Sequence, residues 1–130
     1  MVGIEQEDAF AEQETSADHV RRYYEFVDAG DIDSLIQLFD DDAVYRRPGY
    51  EPMCGRRQLE EFYRGERIIE TGTHTLSDVV VQRSQVAVNG EFAGVLKDGK
   101  EVSVRFADFF AFSENGLFSE RETFFFAPMV

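Results

Sequence analysis

At 130 residues, with 26 acidic side chains against 13 basic ones and a net charge of −13, the chain is long enough for one domain and too acidic for a nucleic-acid surface. An apolar content of 43% with 13 phenylalanines suffices for a core, and a single cysteine, Cys54, excludes an intramolecular disulfide. No apolar run approaches the roughly 18 residues of a membrane span, and MVGIEQEDAF has neither a basic nor an apolar leader segment, so a cytoplasmic protein with no membrane partner is expected.

Residues 1–14 are acidic and polar, with Ile4 and Phe10 as the only anchors. They are expected to form a partly flexible arm, or a frayed extra turn, ahead of a single domain over 15–130. Thr15 and Asp18 have the spacing of a capping box, and Val20, Tyr23, Tyr24 and Val27 then share one helical face up to Gly30. Asp31 caps a second helix carrying Ile32, Leu35, Ile36 and Phe39, which the spacing runs up to the Asp40-Asp41-Asp42 triplet. AVYRR then alternates as a strand, residues 48–55 read as a loop, and Leu59, Phe62 and Tyr63 mark a third helix ending near Gly65.

From Thr73 onward Val, Thr and Phe dominate, and Asp98-Gly99 and Asn115-Gly116 signal hairpins. Asn89-Gly90 reads either as a third hairpin or as part of a through-running strand in which Gly90 and Gly94 allow a bend or bulge. Helices first and strands second predict an α+β fold, a curved sheet wrapped against helices into a cone with a pocket.

Alternation places Val104, Phe106, Asp108, Phe110 and Phe112 on one strand face, so the Asp108 carboxyl sits among rings, where desolvation favours its neutral form unless a cation pairs with it. Arg47 and Arg121 are the candidate partners, and Phe106 and Phe110 are the candidate substrate-binding walls. Arg121 shares a face with Thr123 and Phe125 and could bind an anionic or enolate substrate. Two distant histidines provide no ligand spacing, so neither metal nor cofactor is expected; Cys54 has no base nearby in sequence to make it a nucleophile. Eleven of the 13 cations are arginine, leaving a carboxylate surface whose repulsion is screened over about 3 Å at 1 M salt. A halophilic, acidic protein is expected.

The runs RYYEFVDAGDIDSLIQLFDDDAVYRRPG, GRRQLEEFYR and ADFFAFSENGLF, in this order over about residues 17–126, resemble the NTF2-like superfamily, most closely its ketosteroid isomerase and SnoaL-like polyketide cyclase branches. The resemblance implies a cone of three N-terminal helices against a strongly curved, mixed, largely antiparallel sheet. It also implies a homodimer through that sheet and a small hydrophobic carbonyl or polyphenolic ligand in the pocket.

Three isomerase positions carry over one at a time. The tyrosine that donates to a developing enolate falls on Tyr23, and the neutral aspartic acid that completes the oxyanion hole falls on Asp108. The general-base aspartate falls on Arg47, and an arginine, with a pKa above about 12, cannot be that base. In the family register Arg47 points inward with Ala43 and Tyr45, and Arg46 faces solvent or a dimer partner. His74 resembles strand histidines that serve some SnoaL-like and dehydratase relatives as acid or base. Two readings follow from the same residues. One is an isomerase- or cyclase-type enzyme using Tyr23, Asp108 and His74; the other is a non-catalytic ligand-binding or interaction module whose site Arg47 has closed by pairing with Asp108.

Overall fold

The computed structural model describes the backbone of residues 2–126 and the side chains of residues 16–126. Helix α1 spans Val2–Ala29, α2 Ile32–Ile36 and α3 Gly55–Glu61, the last running into a π-helical turn at Phe62–Glu66. The strands are β1 Phe39–Arg46, β2 Met53–Cys54, β3 Ile69–Gln82, β4 Gln85–Leu96, β5 Glu101–Phe112 and β6 Phe118–Phe126. They form one sheet in the order β2-β1-β6-β5-β4-β3, antiparallel throughout except for the parallel pair β1–β6. This is the α+β order and the mixed, largely antiparallel sheet expected from the sequence.

Helix α1 starts at Val2, ahead of the Thr15–Asp18 box, because the intervening residues are dominated by Glu, Gln and Ala, all good helix formers, and carry no proline. The side chains of Ile4, Phe10 and Thr15 lie outside the described residues. The helix ends in a Schellman motif: Gly30 adopts φ 73°, its N–H bonds to the Val27 carbonyl at 3.2 Å, and the Asp31 N–H reaches the Phe26 carbonyl at 2.9 Å. Asp31 then caps α2 by accepting from the Ser34 N–H.

Helix α2 stops at Ile36, short of the aspartate triplet. Phe39, fully buried, instead opens β1 opposite Phe118 on the parallel strand β6, and the two rings meet edge to face with centroids 5.2 Å apart. The i, i+7 spacing that suggested helix is overridden by a long-range pair that buries the same ring. Strand β3 likewise begins at Ile69, earlier than Thr73, because its partner β4 extends to Leu96.

Hairpins form at Asp98-Gly99 and Asn115-Gly116, with Gly99 at φ 87° and Gly116 at φ 82°. A further one joins β3 to β4 through Arg83-Ser84, Arg83 taking φ 55°. That turn lacks the usual Gly or Asn signal, so the sequence does not announce it. Strand β4 runs through Asn89-Gly90. The β3–β4 register shifts beside Gly90, where a Cβ would meet the Thr75 carbonyl oxygen at 2.7 Å and the Phe106 ring at 2.8 Å. Glycine is required there by close approach.

The core fills the space between the helices and the concave sheet face. Val20, Tyr23, Leu35, Phe39, Tyr45, Leu59, Phe62, Val86, Phe110 and Phe118 are each at most 2% exposed. Alternation along β5 is as read from the sequence: Phe106, Asp108 and Phe110 are buried, while Phe109 is exposed on the other face. No described helix is long and apolar enough to cross a membrane.

Candidate functional site

Two polar systems interrupt the apolar concave face. The first is centred on Asp108 of β5, which is fully buried, and Arg121 of β6, 4% exposed. Arg121 Nη2 donates to Asp108 Oδ2 at 2.8 Å, and the same oxygen accepts from the Tyr24 hydroxyl. Arg121 Nη1 donates to the Tyr63 hydroxyl at 2.9 Å and to that of Tyr23, and these two phenols are themselves hydrogen-bonded. The Arg121 guanidinium also lies 4.5 Å from the Tyr23 and Tyr45 ring centroids. Its Nε is buried with no partner among the described residues.

Hydroxyl directions follow from the acceptor at the end of the chain. Thr123 Oγ1 donates to Asp108 Oδ1, so the Tyr45 hydroxyl, 2.9 Å from Thr123 Oγ1, must donate to it, and Tyr45 in turn accepts from Arg47 Nη1 at 3.0 Å. Every proton in the run Arg47, Tyr45, Thr123 thus points towards Asp108. Burial opposes the charge on Arg121, but Asp108 and the surrounding phenols outweigh it and hold the guanidinium well above its ordinary pKa. Burial also raises the phenols of Tyr23 and Tyr24 well above their usual value; Arg121 opposes the rise at Tyr23, and Asp108 adds to it at Tyr24. Both remain neutral hydroxyls near neutral pH.

The second system joins β3 to the end of α1. His74 Nδ1 lies 2.6 Å from Asp28 Oδ1, and the His74 backbone N–H donates to Asp28 Oδ2 at 2.9 Å. Because a carboxylate accepts only, Nδ1 carries the ring proton and Nε2 presents a lone pair. The ring packs against Phe92, Tyr24 and Phe106, with centroids 4.7, 5.2 and 5.4 Å away. Burial lowers the His74 pKa and outweighs the upward pull of Asp28, so the imidazole is neutral at pH 7.

A cavity of about 300 Å³ opens beside both systems. Ile68, Ile69, Phe92, Leu96, Val102, Val104, Phe106 and Phe125 make its apolar wall; His74, Arg47, Asp108, Arg121 and Thr123 supply its polar atoms. Apolar lining with a few convergent polar groups is the usual make-up of a small-molecule site.

The structure brings five of the sequence-derived candidates, Asp108, His74, Arg47, Arg121 and Phe106, onto this cavity. Tyr23 and Phe110 are placed elsewhere. The Tyr23 hydroxyl is taken up by Tyr63 and Arg121, and Phe110 packs in the core with Tyr23 and Phe118 at centroid distances of 5.8 and 4.8 Å. The tyrosine on Asp108 is Tyr24: successive residues on a helix point about 100° apart, so the two hydroxyls diverge, that of Tyr24 reaching Asp108 while that of Tyr23 meets Tyr63 and Arg121. Asp108 pairs with Arg121, not Arg47, and both its oxygens act as acceptors, whereas the isomerase comparison required it to donate. Arg46 is exposed and 3.7 Å from Glu120. Cys54 is exposed on an edge strand, and the described residues contain no group of three or more metal-ligating side chains.

Asp28 is the residue that sequence reading missed. It sits eight positions after Val20, on the same helical face as Val20, Tyr23, Tyr24 and Val27, so a carboxylate continuing an apolar stripe was the available signal. Tyr45 and Tyr63 enter the network only through long-range contacts.

Residues 20–121 match a family model described as a SnoaL-like domain. Among solved structures, the chain is similar at 18% identity to the epoxide hydrolase/cyclase-like enzyme SalBIII, described for its role in pyran ring formation in the polyether salinomycin; the TM-score is 0.77, over 87% of this chain and 92% of that one. It is also similar, again at 18% identity, to an NTF2-like protein of unknown function from Burkholderia pseudomallei, with TM-score 0.78 over 86% and 91% of the two chains. A third similar structure, an NTF2-like protein of unknown function from Exiguobacterium, has TM-score 0.75 at 18% identity, covering 85% of this chain and 99% of that one. These likenesses establish an NTF2-like cone fold.

Proposed function

The chain belongs to the SnoaL-like domain family, and from that premise we propose that its cavity takes a small hydrophobic carbonyl compound and moves a proton on it, in an isomerase- or cyclase-type reaction. His74 is the base and Asp28 the residue that positions it. The observation that carries this reading is the neutral His74 ring, gripped through Nδ1 by Asp28 and bordering the apolar cavity with Nε2 free of any described partner. Nε2 removes a proton from the carbon next to the carbonyl, the C–H electron pair moves into the enolate, and the imidazolium so formed returns the proton to the same or a conjugated carbon. Asp28 stabilises that imidazolium, and the field of Arg121 favours negative charge on the substrate oxygen. The base that the isomerase branch keeps at the position of Arg47 has, on this reading, moved to β3.

The test uses 2-tetralone, an apolar ketone with acidic C–H bonds, in D2O. Proton NMR should show faster loss of its C1 signal with the protein than with buffer, and this acceleration should vanish in His74→Asn. A native rate equal to that of buffer would leave the cavity as a binding site without catalysis, and an acceleration that survives His74→Asn would remove His74 as the base.

The family comparison also motivates a homodimer. Val80, Phe109, Phe124 and Phe126 are 60%, 52%, 44% and 51% exposed on the convex sheet face, with Ala87 and Ala107 between them in the strand register. Such a patch, bordered by Asp78, Arg105 and Glu122, suits a second copy of the same surface. Sedimentation should give twice 14.9 kDa for the native chain. Phe109→Asp removes one buried ring from each copy, at about 1.5–3 kcal/mol apiece, and should weaken association on the order of 100-fold or more. An unchanged mass at micromolar concentration would show that this face is not the interface.

The acidic composition is proposed to suit high salt. With a net charge of −13, the melting temperature should rise between about 0.1 and 2 M KCl as self-repulsion is screened. A flat or falling curve would remove the halophilic reading.

A further inference from the structure

Arg47 is held in place on both sides. Its carbonyl accepts from the Tyr50 N–H at 3.2 Å, closing a turn in which Pro48 and Gly49, at φ 88°, occupy the positions that a type II turn assigns to proline and glycine. Its guanidinium lies over two rings, 5.5 Å from the Phe62 centroid and 5.0 Å from that of Phe125. Nη1 donates to the Tyr45 hydroxyl at 3.0 Å.

No described carboxylate lies within 4.0 Å of Arg47. In a chain with 26 acidic residues this is notable by contrast with its neighbours: Arg46 meets Glu120 at 3.7 Å, and Arg56 meets Asp41 at 3.2 Å. The one described carboxylate that lines the same cavity, Asp108, is already paired with Arg121 at 2.8 Å. Asp28, behind His74, is engaged by that ring and by its backbone N–H. Among the described residues, the cavity wall therefore carries one cation without a counter-charge. Contact with ring faces favours a planar cation and leaves the edge N–H donors not given to Tyr45 available, in the fork that matches a carboxylate.

We infer that the ligand of this cavity is an apolar acid, whose hydrophobic body lies against Val102, Val104 and Phe106 and whose carboxylate is bound by Arg47. The inference rests on the reading of the cavity as the ligand site and adds the chemical class of the ligand. Arg47 thus becomes the group that orients a substrate, where the pairing with Asp108 would have made it a plug. The acidic surface repels anions at long range, but over 0.15 M salt that repulsion is screened beyond about 8 Å, so the local cation decides.

The test compares 2-naphthoate with 2-naphthamide, matched in shape and differing in charge, by titration calorimetry at pH 7.5 in 0.15 M salt. Neither probe reacts, so the result is independent of proton transfer. The native protein should bind the naphthoate about 10- to 100-fold more tightly, the span typical of a hydrogen bond to a charged group. Arg47→Met should abolish that preference, weakening the naphthoate far more than the naphthamide, Arg47→Lys should restore part of it, and Arg46→Met should leave it intact. His74→Asn should keep the preference while losing exchange of 2-tetralone, which separates this inference from the catalytic one. Equal affinities in the native protein, no binding of either probe at millimolar concentration, or a preference that survives Arg47→Met would each overturn it, the last by assigning the anion to Arg121.

Discussion

Asp108→Ala is expected to be the most destabilising single substitution in the polar network, costing about 3–5 kcal/mol because it strands Arg121 as an uncompensated charge in the core. For a domain of this size that corresponds to a fall in melting temperature of roughly 10–20 °C. The loss should not equal the worth of the pair. Bringing both groups out of water is itself costly, so Asp108→Leu combined with Arg121→Met should recover most of the stability while discarding the ion pair. Thermal or urea unfolding of the two variants checks both statements. A loss below about 1 kcal/mol for Asp108→Ala would mean that water reaches Arg121 and screens it like a surface pair. The network therefore has a stated role apart from chemistry: it anchors α1 through Tyr23 and Tyr24, and α3's π-helical extension through Tyr63, to β5 and β6.

His74→Asn is expected to lower proton exchange of a bound ketone by about 10²–10⁴-fold, the usual contribution of a positioned general base. Its pH dependence distinguishes catalysis from packing. A histidine base acts as the neutral ring, and burial lowers the His74 pKa, so the proposed reaction should speed up with pH and level off below the ordinary histidine value of about 6.5. Asp28 pulls that pKa upward, so Asp28→Ala should move the acid limb to lower pH while reducing the plateau. A merely structural Asp28 would reduce the plateau and leave the limb in place. Stability carries the same sign. Between the lowered folded pKa and about 6.5 the unfolded chain binds the extra proton, so stability from this group is complete above about 6.5 and declines as pH falls through that window.

Much of the fold was legible locally. The i, i+3, i+4, i+7 face of α1, the Gly30-Asp31 junction and the two Gly-containing hairpins each depend on neighbours in sequence, and each formed where its signal stood. The errors beyond α1 share one cause. The end of α2, the start of β3 and the Arg83-Ser84 hairpin are set by the partner strand: Phe39 pairs with Phe118, and Ile69 with Leu96, across contacts that no local window contains.

For the site, the sequence by itself determined which side chains face inward on a strand, because alternation requires only that the strand exist. That sufficed for Phe106, Asp108, Arg121 and Thr123. Which inward side chain meets which was decided by the tertiary structure. Arg121 reached Asp108 before Arg47 could, since β6 lies directly beside β5 while Arg47 follows β1, on the far side of β6. Tyr24 displaced Tyr23 from Asp108 through the rotation of α1, and the same rotation carried Asp28 to His74, 46 residues away along the chain. A charge's partner is chosen by distance in three dimensions, so composition and spacing could identify the two arginines of DAVYRRPG as unusual. Only the packing of six strands could show that Arg47 is the one left facing the cavity without a carboxylate among the described residues.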